Sequence, residues 1–195
     1  SLENHQNALK TALEIKHKTF FTNVETFMQY DFVKTNFPQV LRQFPEQLAS
    51  FLIKHLDEYP PTPIIKECNA LLNEYRNDYS NPAVATIQNF KLEYLDKLYE
   101  KKSDIFQQEK YCTELARLYV RTRSPKTMEF LKSTANYDLM DICAEADNAQ
   151  MYKEEAYLFS TAGSAEKGME IHLNHIKNAE ESLEYAKSCD DKKAW

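Results

Sequence analysis

The apolar residues of this chain recur every three or four positions, in runs interrupted by proline and capping residues. In FPEQLASFLIKHLDEYPP, residues 44–61, the side chains of Leu48, Phe51, Leu52, Leu56 and Tyr59 fall on one helical face. Pro45 suits the first turn, and Pro60 and Pro61 stop the run. TPIIKECNALLNEYRNDY restarts with Thr62 as expected N-cap, Pro63 at the first position and a stripe of Ile65, Cys68, Leu72 and Tyr75. The device repeats at Asn81-Pro82, ahead of Ile87, Phe90, Tyr94, Leu95 and Leu98. A further helix carries Tyr111, Cys112, Leu115, Leu118 and Tyr119 on one side, and a shorter one is expected to open at Ser124-Pro125. The first forty residues read as helical around Leu9, Leu13, Phe20, Phe27 and Phe32.

The last sixty residues change style. Four helices of about 11–13 residues, three turns each, follow one another across links of two or three residues. Such links force neighbours to lie antiparallel. Gly163 suits a left-handed helix end, and Asn178 with Glu181 forms a capping-box-like start. Leu139 and Ile142 recur as Leu183 and Ala186, which predicts a repeat on the order of 40 residues, the period of helical solenoids.

Composition sharpens this to an all-α fold, a solenoid of stacked antiparallel helix pairs. The chain has only two glycines, Gly163 and Gly168, too few for the turns of a sheet protein or a phosphate-binding loop. Hydrophobic residues make up 43% and charged residues 28%, ordinary values for a folded chain. A net charge of −6 argues against general nucleic-acid binding. No apolar run is long enough to span a membrane. Cys68, Cys112, Cys143 and Cys189 are widely spaced and read as reduced, buried thiols. The absence of an initial Met suggests a fragment of a longer protein. Its expected organisation is a single solenoid fragment over 1–195, with divergent longer helices in 1–103 and short repeat-like pairs in 104–195.

Candidate chemistry is sparse. His172 and His175 are spaced to share a metal, but no third ligand stands at helical spacing, so packing beside a stripe of Met169, Leu173 and Ile176 is the expected role. Glu154–Glu155 and Glu180–Glu181 lie in first helical turns, where negative charge offsets the helix dipole rather than performing acid–base catalysis. PPTP, residues 60–63, has the spacing of an SH3 ligand, although an interhelical turn accounts for it. The 12 tyrosines and 11 phenylalanines fall mostly in the stripes and read as core. Arg117, Arg121, Arg123, Lys126 and Lys132 crowd a short span; they form either a solvated face or a contact for an acidic partner or anionic lipid. No catalytic, cofactor-binding or metal-binding motif is present, and the expected role is non-enzymatic.

A resemblance adds to this. Leu118-Tyr119, Phe130-Leu131, Ile142-Cys143, the Glu154-Glu155-Ala156 helix with Phe159, the turn at Gly163, NAEESLEYAK at 178–187 and DDKKAW at 190–195 together resemble the clathrin heavy chain repeat of vacuolar protein sorting subunits. The resemblance covers the C-terminal half; Gly168 and Leu183 depart from it, standing where alanine is common. It implies part of the α-solenoid of a HOPS or CORVET tethering-complex subunit. Such a subunit is expected to be cytoplasmic and peripheral on late endosome, vacuole or lysosome membranes. The implied partners are other tethering subunits, Rab GTPases or SNAREs, with no nucleic acid and no cofactor. A vesicle-coat solenoid such as clathrin is the alternative, and a helical enzyme a more distant one.

Overall fold

The computed structural model describes residues 2–75, 78 and 80–190, the last by its backbone alone, and every α-helix, 3-10 turn or π turn among them is accounted for with no strand. Residues 191–195 of the DDKKAW motif lie outside the described residues. The chain divides into two compact units, 1–103 and 104–195.

The first unit contains α1 (Leu2–Glu14), α2 (Phe20–Thr26), α3 (Tyr30–Thr35), α4 (Phe37–Gln43), α5 (Pro45–Lys54), α6 (Pro61–Glu74) and α7 (Pro82–Glu100). It thus includes three helices of six or seven residues beside long ones such as the 19-residue α7. Proline opens four of these helices, because its missing N–H would have had no intrahelical partner in the first turn. Asn81 caps α7 by accepting from the Ala83 N–H at 3.0 Å. The expected Thr62 cap is corrected: α6 begins at Pro61, so Thr62 lies inside its first turn. The buried face of α6 runs through Ile64, Ile65, Cys68 and Leu71, one position round from the expected Leu72 and Tyr75. Likewise α5 ends at Lys54, leaving Leu56 half-buried in a turn while Tyr59 is buried.

Two arrangements hold this unit. Phe21 meets Phe51 at a ring separation of 4.6 Å, Glu25 meets His55, and Tyr59 donates to the Tyr30 carbonyl at 2.8 Å. Both partners advance together, so α2 and α5 run parallel, offset by 29 or 30 residues. α6 and α7 instead form an antiparallel hairpin, in which Lys91 donates to Asn69 and Leu71 lies across a cleft from Ile87.

The second unit opens with a 3-10 turn, Asp104–Gln107, and continues through α8 (Glu109–Arg121), α9 (Thr127–Ser133), α10 (Leu139–Asn148), α11 (Tyr152–Thr161) and α12 (Ala165–Ile171). A π turn, His172–Ile176, leads into α13 (Ala179–Asp190). α9 starts after Ser124-Pro125, which form a separate turn with the Thr127 hydroxyl donating to the Ser124 carbonyl. Pairs Arg117–Asp141 and Arg121–Glu145 make α8 and α10 parallel with an offset of 24 residues. Tyr185–Ala156 and Cys189–Ser160 make α11 and α13 parallel with an offset of 29. Alternate helices therefore stack in register, the layering of a solenoid. The expected repeat of about 40 residues is corrected to these shorter offsets, because helices of ten residues and links of three return the chain sooner.

With so few glycines, the helices end on other residues. Lys16, Met28, Lys102, Arg123, Gln150 and Lys177 all have φ between 50° and 55°, and Gly163 has φ 76°. At Lys102 the next N–H, from Ser103, reaches the Leu98 carbonyl at 3.0 Å; at Gln150 the Met151 N–H reaches Ala146 at 2.9 Å. These six-to-one bonds satisfy the last carbonyls of each helix. The bulkier residues accept a steric cost that glycine would not.

Candidate interaction surface

Of the charge cluster read from the sequence, Arg117, Arg121 and Arg123 contact α10 or the residue after it across the α8–α10 seam. Arg117 and Arg121 are one turn apart on α8, and Asp141 and Glu145 one turn apart on α10, so two ladders of opposite sign face each other. Arg117 donates to Asp141 and lies 3.8 Å from Glu145. Arg121 grips Glu145 with two nitrogens, Nε to Oε2 at 3.0 Å and Nη2 to Oε1. The Arg121 hydrogen bonds, with the charges of Arg121 and Arg117, hold the Glu145 carboxyl below its ordinary value against the opposing effect of burial. Arg123, itself at a left-handed helix end, donates to the Ala149 carbonyl at 2.8 Å. Lys132 stands over the Tyr157 ring at 5.8 Å, and Lys126 is exposed with a partner of its own. The three arginines thus spend hydrogen-bonding capacity on α10 and the residue after it, while Lys132 stands by α11.

The histidines separate. His175 is exposed and stacks on Tyr152 with ring centroids 4.4 Å apart. His172 is buried against the Tyr185 ring at 4.5 Å, and its Nδ1 has no hydrogen-bond partner among the described residues. Burial pushes its pKa down, Lys153 adds to this and Glu181 opposes it. The expected stripe is corrected here: Leu173 is 62% exposed, and Gly168, Ile171 and His172 are the buried positions. The π turn adds a residue to the helical turn and rotates the face that a regular helix would present. In α13, Leu183 is 56% exposed; Tyr185 and Cys189 face the neighbouring helices instead. Tyr185 donates between the carbonyls of Ala156 and Ala165, at 3.3 Å from each. Its hydroxyl would lie 1.8 Å from a Cβ at Gly168, so the glycine permits this close approach.

Among the paired acids, Glu181 meets Lys153 at 2.7 Å and supports the Asn178 cap. Glu155 lies in the first turn of α11, as expected, but it is buried, and burial, reinforced by Asp147 and opposed by His175, raises its pKa. Leu158 and Phe159, three and four residues on, share its side of α11, a local hint that does not by itself fix its burial. The residues Pro61–Pro63 of PPTP are helical, not extended, which removes the conformation an SH3 ligand needs. All four cysteines are buried and outside any disulfide, and burial pushes Cys143 up to about 11, where the nucleophilic thiolate is scarce.

Among the described residues, no three His, Cys, Asp or Glu side chains converge to hold a metal ion. No described helix is long and apolar enough to cross a membrane. The first unit has an apolar cleft of about 390 Å³, lined by Pro38, Leu41, Leu71, Tyr75, Pro82 and Ile87.

The comparisons agree in kind. The family model described as the Vps41 TPR-like region matches residues 2–195. The human and mouse proteins named vacuolar protein sorting-associated protein 41 homolog are each 20% identical over 196 residues, covering 99% of this chain and 20% of theirs. Human clathrin heavy chain 2 is 22% identical over 111 residues, 57% of this chain and 7% of its own. The chain spans about one fifth of the length of the sorting proteins it matches. No solved structure matches significantly. With the helical layers above and a match along nearly every residue, the chain belongs to the Vps41 TPR-like region family.

Proposed function

We propose that this chain is a non-catalytic helical scaffold of an endolysosomal or vacuolar membrane-tethering subunit, of the HOPS or CORVET class, acting in vesicle trafficking and fusion. The observation that carries the reading is the family match along residues 2–195, over stacked helices rather than over a short motif. The mechanism is passive: layered helices bury a common apolar seam and offer their outer faces to partner subunits. Its partners are other tethering subunits, with Rab GTPases or SNAREs as the finer proposal, and its membrane association is peripheral and indirect. The two-part organisation, a divergent 1–103 and a repeat-like 104–195, belongs to the same proposal.

The exposed side of the cluster Arg117, Arg121, Arg123, Lys126 and Lys132 is the proposed contact for an acidic partner or anionic lipid, the inner side being engaged by α10. Affinity purification of the full-length protein, with partners identified by mass spectrometry, tests the main reading. Recovery of tethering subunits in fixed stoichiometry is expected. The partial match to clathrin heavy chain 2 favours a coat role as the second reading. Self-assembly of the purified protein into lattices, without those subunits, would replace the first reading by the second.

A further inference from the structure

The seam between α11 and α12 contains an arrangement that scaffolding does not require. Glu155 is only 9% exposed, and no described residue gives its carboxylate a hydrogen bond or ion pair. Among the described residues, the side-chain atoms fully buried without a partner are the Tyr94 hydroxyl and His172 Nδ1, not the Glu155 oxygens, so this carboxylate keeps contact with solvent while the burial around it penalises its charge. Glu155 faces a recess of about 260 Å³ bounded by Phe159, Lys167, Glu170 and His175. That volume lies below the ~300–1,000 Å³ of small-molecule sites and suits a single side chain.

The charges around the recess select what enters. Glu155 and Glu170 line it, and Asp147 adds to the negative potential at Glu155. Against them stand Lys167 and His175. The Lys167 ammonium lies 5.5 Å from the Phe159 ring centroid without pairing with Glu155. Lys167 therefore already holds the ring face, while the Glu155 carboxylate beside it has no partner among the described residues. A planar guanidinium that displaces the Lys167 ammonium from the ring meets both walls at once, with two N–H groups on the carboxylate and its flat face against the aromatic ring.

We propose that the recess between α11 and α12 binds an arginine side chain of a partner protein, with Glu155 as the carboxylate that receives the guanidinium. Glu170 supplies a second negative charge at the rim, and Phe159 the stacking surface. The proposal depends on the scaffold reading only for a protein as the source of the arginine. A small probe tests the site independently of any tethering partner.

The experiment is a titration of the isotope-labelled 195-residue chain with N-acetyl-arginine amide, followed by NMR. Shifts centred on Glu155, Phe159 and Ile171 are expected, with the Glu155 carboxyl pKa falling on saturation. N-acetyl-lysine amide should bind roughly fivefold more weakly, since an ammonium cannot make the paired, stacked contact. Glu155→Gln should keep the helical dichroism and weaken arginine binding about tenfold, equivalent to about 1.4 kcal/mol. Glu170→Gln, at an exposed position, should weaken it about threefold through lost attraction alone. Absence of shifts at the recess, equal response to the two amides, or undiminished binding by both glutamine variants would each overturn the assignment. Failure to recover tethering subunits from cells would instead count against the scaffold reading and leave this titration unaffected.

Discussion

The α2–α5 seam and the α8–α10 seam solve the same packing problem with different chemistry. Each pairs parallel helices, at offsets of 29 or 30 residues in the first unit and 24 in the second. In the first, rings carry the contact: Phe20 stacks on Phe44 at 5.1 Å and Phe21 meets Phe51, with the Glu25 group at one end. In the second, two arginines bind two acids above a buried layer that includes Leu115 and Ile142. The difference teaches that helix stacking is specified by where apolar positions fall in each turn, while the seam's particular groups are free to vary. That freedom is a physical reason why 20% identity suffices along this family.

The largest expected effects lie in the apolar layers that both units share. Phe20, Leu115 and Leu158 are each 0% exposed. Phe20→Ala should destabilise by about 3–5 kcal/mol, and Leu115→Ala or Leu158→Ala by about 2–5 kcal/mol, read from urea unfolding of the whole chain. An unchanged midpoint at any of the three would remove that residue from the seam. Gly168→Ala comes next. The new methyl meets the Tyr185 hydroxyl and the Ala156 carbonyl, so a net loss of about 1–2 kcal/mol is expected after the helix-propensity gain of alanine. Tyr185→Phe in the same chain should recover part of it; no recovery would place the strain elsewhere.

These residues also mark what the sequence makes legible. Helices α7 and α8, their buried faces, the Asn81 and Asn178 caps and the Gly163 helix end follow from local periodicity and capping chemistry. What escapes is decided by neighbours distant in sequence. Leu173 fits a regular apolar stripe, but the π turn rotates it outward. Leu183 fits the repeat, but Tyr185 takes the buried side because Gly168 leaves it room. Arg117 and Arg121 are recognisable as a basic face; their partners are visible only when the i, i+4 acids of α10 are set beside them. Glu155 satisfies a dipole argument in its own helix, and its burial follows from how α12 packs against α11.

Helix ends offer a smaller test, common to both units. Lys102→Gly and Gln150→Gly should each stabilise the chain by up to about 1 kcal/mol, because glycine adopts the left-handed conformation without the Cβ clash. Thermal unfolding checks this; a lowered midpoint would show that the side chain's packing outweighs its backbone strain.

The smallest effects separate the two seams most directly. Hydrogen bonds from Lys54 and then His55 lower the Glu25 pKa, as those from Arg121 lower that of Glu145. Each acid ionises more readily folded than unfolded, so its contribution is present above the ordinary value of 4.5 and lost as pH falls through the folded value. Glu25→Gln and Glu145→Gln should therefore each flatten the acid limb of a stability–pH curve, while destabilising at neutral pH by about 0.2–1 kcal/mol. Salt distinguishes them. Lys54 is 66% exposed and makes one contact at 2.8 Å, whereas Arg121 is 51% exposed and uses two nitrogens on a carboxylate that is itself only 19% exposed. Raising ionic strength should erase the Glu25 difference first, because the paired geometry at Glu145 keeps hydrogen bonds that screening does not remove. Arg121→Lys should make the second seam as salt-sensitive as the first, since a single ammonium lacks the fork; equal salt dependence before that substitution would show that the ladder acts as diffuse surface charge.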